Sequence, residues 1–174
     1  MFEESTPTNI SLATIIQDIN RMVTVDQDMR EQNLVDANHW DDEVDKTNTA
    51  RMKEIISAIG WPTISQVGTE VATNAWLLVQ HADHDPDFQE RCLTLMKSLP
   101  ADEVNQTDIA FLEDRVRVNR GEPQLYDTQF RQINGQHVPK PIEDEANVDT
   151  RRRAMGMGTM AERIAEMYEK YPNP

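Results

Sequence analysis

The chain has a single cysteine, Cys92, which excludes an intramolecular disulfide and any zinc site built from several thiolates. No stretch approaches the roughly 18 apolar residues of a membrane span, so no membrane partner is expected. The first ten residues, MFEESTPTNI, carry neither a basic segment nor the apolar run of a signal peptide, and a cytoplasmic domain is expected. Basic residues are scarce: 17 Lys and Arg stand against 31 Asp and Glu, a formal charge of −14. A chain this acidic repels phosphate backbones, which argues against nucleic acid as a partner. A GxSxG elbow, a GxxxxGKS/T phosphate loop and a dinucleotide glycine fingerprint are all missing, and no cofactor is expected. What is present is globular composition, 38% hydrophobic and 28% charged over 174 residues. That length suits one domain, residues 1–174, with a core of its own.

Hydrophobic spacing makes the chain mainly α, a compact antiparallel helical bundle with one short β-hairpin near residues 128–138. Residues 1–8 read as a loose acidic tail. A first helix is predicted from about Asn9 to Asn33, with Leu12, Ile15, Ile16, Ile19, Met22 and Val23 inside an arc of about 120°. A second runs from about Asp41 to Ile59 on the stripe Met52, Ile55, Ile56 and Ile59, with Gly60 after its end. A third, about Thr69 to Asp83, is apolar around most of its circumference and reads as central. Asp85-Pro86 opens a fourth helix that Pro100 ends, with Phe88, Cys92, Leu95, Met96 and Leu99 on its apolar face. Asn105 caps a fifth that stops near Asn119. TQFRQI and QHV flank Asn134-Gly135, the strongest two-residue hairpin signal, and Pro139 and Pro141 keep that hairpin short. A short helix is predicted at Asp149 to Met155. Thr159 and Glu162 form a capping box for a last helix ending near Tyr171.

Polar residues interrupt these stripes at particular places. In the first helix Asp26 and Arg30 fall in the middle of the apolar arc, spaced i and i+4 so that they can pair, and Gln27 lies at its edge. In the second, Asn48 and Asp45 fall inside the stripe. Arg115 lies between Phe111 and Leu112 in the fifth. If short connections make the helices antiparallel, these positions meet the end of the third helix, Gln80, His81 and Asp83, at one end of the bundle. Buried charge is unfavourable unless paired, so such a concentration points to a site more than to folding alone. A buried polar network that only fixes helix register is the competing reading.

The densest chemical motif is HADHD, residues 81–85. His81 suits a general acid or base, because imidazole titrates near neutrality and needs only a carboxylate, Asp26 or Asp83, to orient it. On a continuous helix His81 and His84 would be close enough to share a metal ion with Asp85, although the lead reading has no metal. The basic run Arg151 to Arg153 is expected to begin a helix and pair with the acids of PIEDE.

GWPT (60–63), LLVQHADHDPDFQ (77–89), Asp114-Arg115, PQLYDTQF (123–130), PIED (141–144) and VDTRR (148–152) occur in this order. The series resembles a bacterial family of unknown function whose members carry GWPT, QHAD and YGTQ blocks, from about Asp26 onward. The resemblance implies a shared polar site drawn from Gln80, His81, Asp83, Arg115, Tyr126, Thr128 and Gln129. Asp127 stands where the family pattern has Gly. The His84-Asp85 pair is also similar to that of the helical HD phosphohydrolases, a metal-dependent alternative that would enlist His39 and Asp114 as well.

The expectation is therefore a pocket for a small polar, anionic ligand. His81, with Asp83 or Asp26, would do acid–base or hydrolytic work. Arg30 and Arg115 would hold anionic groups, and Gln27, Asn48, Gln80, Tyr126, Thr128 and Gln129 would hydrogen-bond the ligand. The rival from another class is a non-enzymatic acidic protein that docks a basic partner.

Overall fold

The computed structural model describes residues 10–134 and 136–170. The expected tail, the tip residue Gly135 and the expected end at Tyr171 lie outside them. The chain divides into two compact units, Met1–Leu78 and Val79–Pro174, with the boundary inside a helix.

The first unit is built on two long helices, α1 (Leu12–Val35) and α2 (Asp42–Ile59), joined by a 3-10 turn at Ala37–His39. Each starts at an oxygen-bearing cap that accepts an otherwise orphaned backbone N–H: Ser11 from Thr14 and Asp41 from Glu43. Gly60 ends α2 at φ 74°, a conformation that favours glycine. Ion pairs fix the antiparallel register. Arg51 in mid α2 reaches Asp18 early in α1 at 2.7 Å, while Asp45 early in α2 meets Arg30 late in α1 at 2.7 Å. Ile15, Ile19, Met22 and Met29 bury the inner stripe of α1, as Met52 and Ile55 do for α2. One short helix went unforeseen after Trp61-Pro62: α3 (Ile64–Val67), opened by a capping box between Thr63 and Gln66. Helix α4 (Thr69–Gln80) follows, with Val71, Ala72 and Ala75 buried.

In the second unit α5 (Pro86–Lys97) and α6 (Gln106–Asn119) pack antiparallel. Lys97 at the end of α5 pairs with Glu113 at 2.6 Å, and Arg120 beyond α6 pairs with Asp87 at 2.6 Å near the start of α5. Phe88, Cys92, Met96, Ile109, Leu112 and Val116 are buried, so Cys92 serves as core. The hairpin pairs β1 (Phe130–Ile133) with β2 (Gln136–Pro139) in the register Ile133 to Gln136. Asn134 takes φ 51°, as a two-residue hairpin turn requires. After a 3-10 turn at Glu145–Asn147 come α7 (Val148–Ala154) and α8 (Met160–Lys170). The capping box of α8 is reciprocal: Thr159 N–H donates to Glu162 Oε2 at 2.6 Å, and Glu162 N–H to Thr159 Oγ1 at 3.2 Å.

The largest departure from expectation is at the end of α4, three residues earlier than the spacing predicts. The Gln89 side-chain amide donates to the carbonyls of Val79 and Gln80, both at 3.2 Å, and so satisfies groups that another helical turn would have used. Ala82 N–H bonds Val79 O at 3.1 Å, and the chain turns. His81, Asp83 and His84 therefore lie in a turn, and the two histidines are not i and i+3 on a helix.

Candidate functional site

In the first unit the polar intrusions do come together. Asp26 is wholly buried; its carboxylate accepts from Gln27 Nε2 at 2.7 Å and from Arg30 Nε at 3.1 Å. Arg30 also donates to Asp45 at 2.7 Å and lies 4.9 Å from the centre of the Trp40 ring. The guanidinium expected to hold an anionic ligand is therefore held between two carboxylates. Asn48 looks elsewhere. It lines a cleft of about 370 Å³ between α1 and α2, with Met22, Val25, Val44 and Thr47 on its walls and Arg21, Asp41 and Glu43 beside them. Asn48 is buried, and among the described residues its Nδ2 has no hydrogen-bond partner.

The second unit gathers a different set. Arg115 grips Asp83 through Nε at 2.8 Å and through a second nitrogen, and donates to Gln129 Oε1 at 3.1 Å. Asn119 and Gln89 also donate to Asp83. Burial pushes the Asp83 carboxyl up, but Arg115, Asn119 and Gln89 outweigh it and hold the group below its usual range. Arg115, like Arg30, is already occupied. Gln80 is buried, and among the described residues its Oε1 has no hydrogen-bond partner. Tyr126 turns toward a separate cleft lined by Met96, Glu113 and Met155, where its hydroxyl approaches Glu113 at 3.4 Å. Burial and the neighbouring carboxylates push that phenol up to about 12.

The block PQLYDTQF is a loop tied from within. Asp114, wholly buried on α6, accepts the N–H groups of Leu125 at 2.6 Å and of Tyr126 and Thr128 at 3.1 Å, and the Thr128 hydroxyl at 2.9 Å. Gln124, also wholly buried, accepts from Thr128 N–H and Gln129 N–H and donates to the carbonyls of Gln129 and Lys140. Thr128 and Gln129, expected to touch a ligand, are engaged in this knot. Burial pushes the Asp114 carboxyl up against those four donors. Asp114→Asn should loosen the loop, because a neutral amide with one acceptor oxygen cannot replace a charged group taking several donors. Hydrogen exchange at Tyr126 and Thr128 should quicken by about tenfold, roughly 1.4 kcal/mol of lost protection. Unchanged exchange would show that Asp114 does not hold the loop.

Asp127 at the apex of this loop has no such support. It takes φ 55°, it is wholly buried, and neither carboxylate oxygen has a hydrogen-bond partner among the described residues. Burial pushes its carboxyl up to about 7, opposed by the charge of Arg152 and reinforced by that of Asp114. Arg152, itself buried, spends its donors on the carbonyls of Gly158, Tyr126 and Asp127. The positive φ explains the glycine of the YGTQ pattern: the backbone requires the left-handed region, which glycine enters freely and aspartate tolerates. The sequence signal for Asp127 was this single departure from a resembled block. Arg152 gave none beyond its place in a basic run. Its neighbour Arg151 does pair with PIEDE, 3.7 Å from Asp144.

The metal alternative is not assembled. Asp85 caps α5, accepting Phe88 N–H at 3.0 Å, and Asp114 serves the loop. Among the described residues no group of three or more His, Cys, Asp or Glu is placed to hold a metal ion. No helix among them is long and apolar enough to cross a membrane.

These features define a mainly α protein with a two-stranded hairpin, whose buried polar groups are organised around carboxylates. The ordered blocks pointed to a family of unknown function, and the comparison agrees. The chain belongs to DUF6624, a family of unknown function, whose model matches residues 13–172. No curated protein and no solved structure matches it.

Proposed function

We propose that the chain binds a small ligand in the cleft between α1 and α2. The observation that carries this reading is Asn48: a buried amide nitrogen with no partner, on the wall of a cleft large enough for a small molecule. Leaving a buried donor unsatisfied disfavours folding by about 1–3 kcal/mol, a penalty that a ligand acceptor would relieve. Met22, Val25 and Val44 suit an apolar body. Asp41 and Glu43 outnumber Arg21 among the charges beside it, which favours a neutral or cationic group there over the anion expected from sequence. The ligand class is then an apolar molecule with a carbonyl-type acceptor for Asn48. Of the residues expected to bind it, Asn48 is the one this reading keeps; Arg30 and Gln27 support the adjoining Asp26.

Asn48→Leu tests this directly. The unliganded variant should be as stable as wild type or up to about 1 kcal/mol more stable, because an apolar group of similar size replaces an unsatisfied donor. A thermal-shift screen against a metabolite library should give compounds that raise the wild-type midpoint and leave the variant unmoved. A screen without hits, or hits that persist in the variant, would overturn the reading.

A further inference from the structure

The second unit contains a cleft of a different character. About 370 Å³ in volume, it lies where the end of α6 meets the base of the hairpin, and is lined by Val118, Gly121, Glu122, Pro123, Arg131, Lys140 and Pro141. Arg131 comes from β1, and Lys140 directly follows β2, its backbone N–H bonded to Gln129 O at 3.0 Å. Many of the arginines are neutralised: Arg21, Arg30, Arg51, Arg115, Arg117, Arg120, Arg151 and Arg163 each hold at least one carboxylate within 4 Å. Among the described residues neither Arg131 nor Lys140 has a carboxylate that near. The one acid on the cleft wall, Glu122, faces Arg117 at 3.6 Å. Two uncompensated cations thus share one concavity in a chain of formal charge −14.

We propose that this cleft binds a phosphate monoester of a small organic molecule, independently of the α1–α2 cleft. A monoester carries close to two negative charges at neutral pH, matching the two cations. Arg131 offers planar, paired donors and Lys140 a mobile point charge, the two modes by which proteins hold phosphate. Val118, Pro123 and Pro141 form an apolar wall for the organic part, which a bare phosphate ion would leave unused. The surrounding acidic surface repels anions from elsewhere on the molecule, which confines attraction to this place.

The test is a titration of the 15N-labelled chain with phenyl phosphate at low ionic strength, followed by amide chemical shifts. Saturable shifts should cluster at 118–122, 131 and 140, and inorganic phosphate should bind at least tenfold more weakly. Arg131→Gln combined with Lys140→Gln should weaken phenyl phosphate binding at least tenfold. A control with the same change in charge elsewhere, Lys46→Gln with Arg153→Gln, should bind as wild type does. Absent or scattered shifts, equal binding of inorganic phosphate, or equal weakening by the control would each overturn the proposal. Should the double variant not fold, the position of the wild-type shifts and Lys140→Gln alone decide the matter. Since Asn48 plays no part, failure here leaves the α1–α2 reading standing, and the converse also holds.

Discussion

Asp127→Asn should make the protein more stable at pH 8 and remove much of its pH dependence between pH 4 and 7. In the native state the Asp127 carboxyl is raised from 3.8 to about 7. Between these values the folded chain keeps a proton that the unfolded chain has released. Stability from this group is therefore complete below about pH 4 and is lost as the pH rises through 7. At about 1.4 kcal/mol per unit, the loss is roughly 4 kcal/mol. Asparagine accepts the left-handed backbone of φ 55° and carries no charge to desolvate. The variant should match wild type within about 1 kcal/mol near pH 4.5 and exceed it by roughly 2–4 kcal/mol at pH 8. Asp114, also raised by burial, adds pH dependence of the same sign. Asp83 works the other way: Arg115 holds it low, so its contribution is present above pH 3.8 and is lost only as the pH falls further. Asp127→Gly should share the gain at pH 8, since it also removes the buried charge and relaxes the backbone. The check is urea unfolding at both pH values. Parallel stability–pH curves for wild type and Asp127→Asn would mean that the carboxyl is not the titrating group.

Arg30→Met should destabilise by roughly 3–5 kcal/mol, more than Asp26→Leu does. The pair is asymmetric in burial: the Asp26 side chain is 1% exposed and that of Arg30 23%. Removing the arginine deprives a buried carboxylate of its cation. Removing the aspartate leaves an arginine near water that still holds Asp45 at 2.7 Å and the Trp40 ring. Asp26→Leu should therefore destabilise by only about 1–2 kcal/mol. Replacing both together should fall within about 1 kcal/mol of wild type, because a buried ion pair and an apolar pair of similar volume are often equivalent. Urea midpoints of the three variants decide the question. If Asp26→Leu proves as damaging as Arg30→Met, burial does not set the energetics of this pair.

Much of the fold was legible because its signals are local. Asp85 and Asn105, expected as caps, each accept a backbone N–H at a helix start. Gly60, Asn134 and the Thr159–Glu162 box each fix a turn or cap through their own conformational preference or short-range hydrogen bonds. The Asp26–Arg30–Asp45 cluster was legible too, since i and i+4 spacing and a polar break in an apolar stripe are properties of one helix, and an antiparallel partner supplied Asp45.

What the sequence by itself determined, then, is the long helices, the hairpin, the net negative charge and the polar seam of α1 and α2. Only the tertiary structure decided which polar groups are already satisfied. Arg30 and Arg115 look like anion holders along the chain, yet carboxylates near or far in sequence fill their donors. Gln89 ends α4 from nine residues away, and Asp114 gathers amides from a loop eleven to fourteen residues on. Conversely, Asn48 and Asp127 are among the buried groups left unsatisfied by the described residues, and Arg131 and Lys140 are two cations of one cleft without a nearby carboxylate among them. The physical reason is that a hydrogen bond or ion pair is saturated by whatever the fold brings within about 3–4 Å. Residue type and spacing give the capacity of a side chain to bond, and its tertiary neighbours decide whether any capacity is left for a ligand.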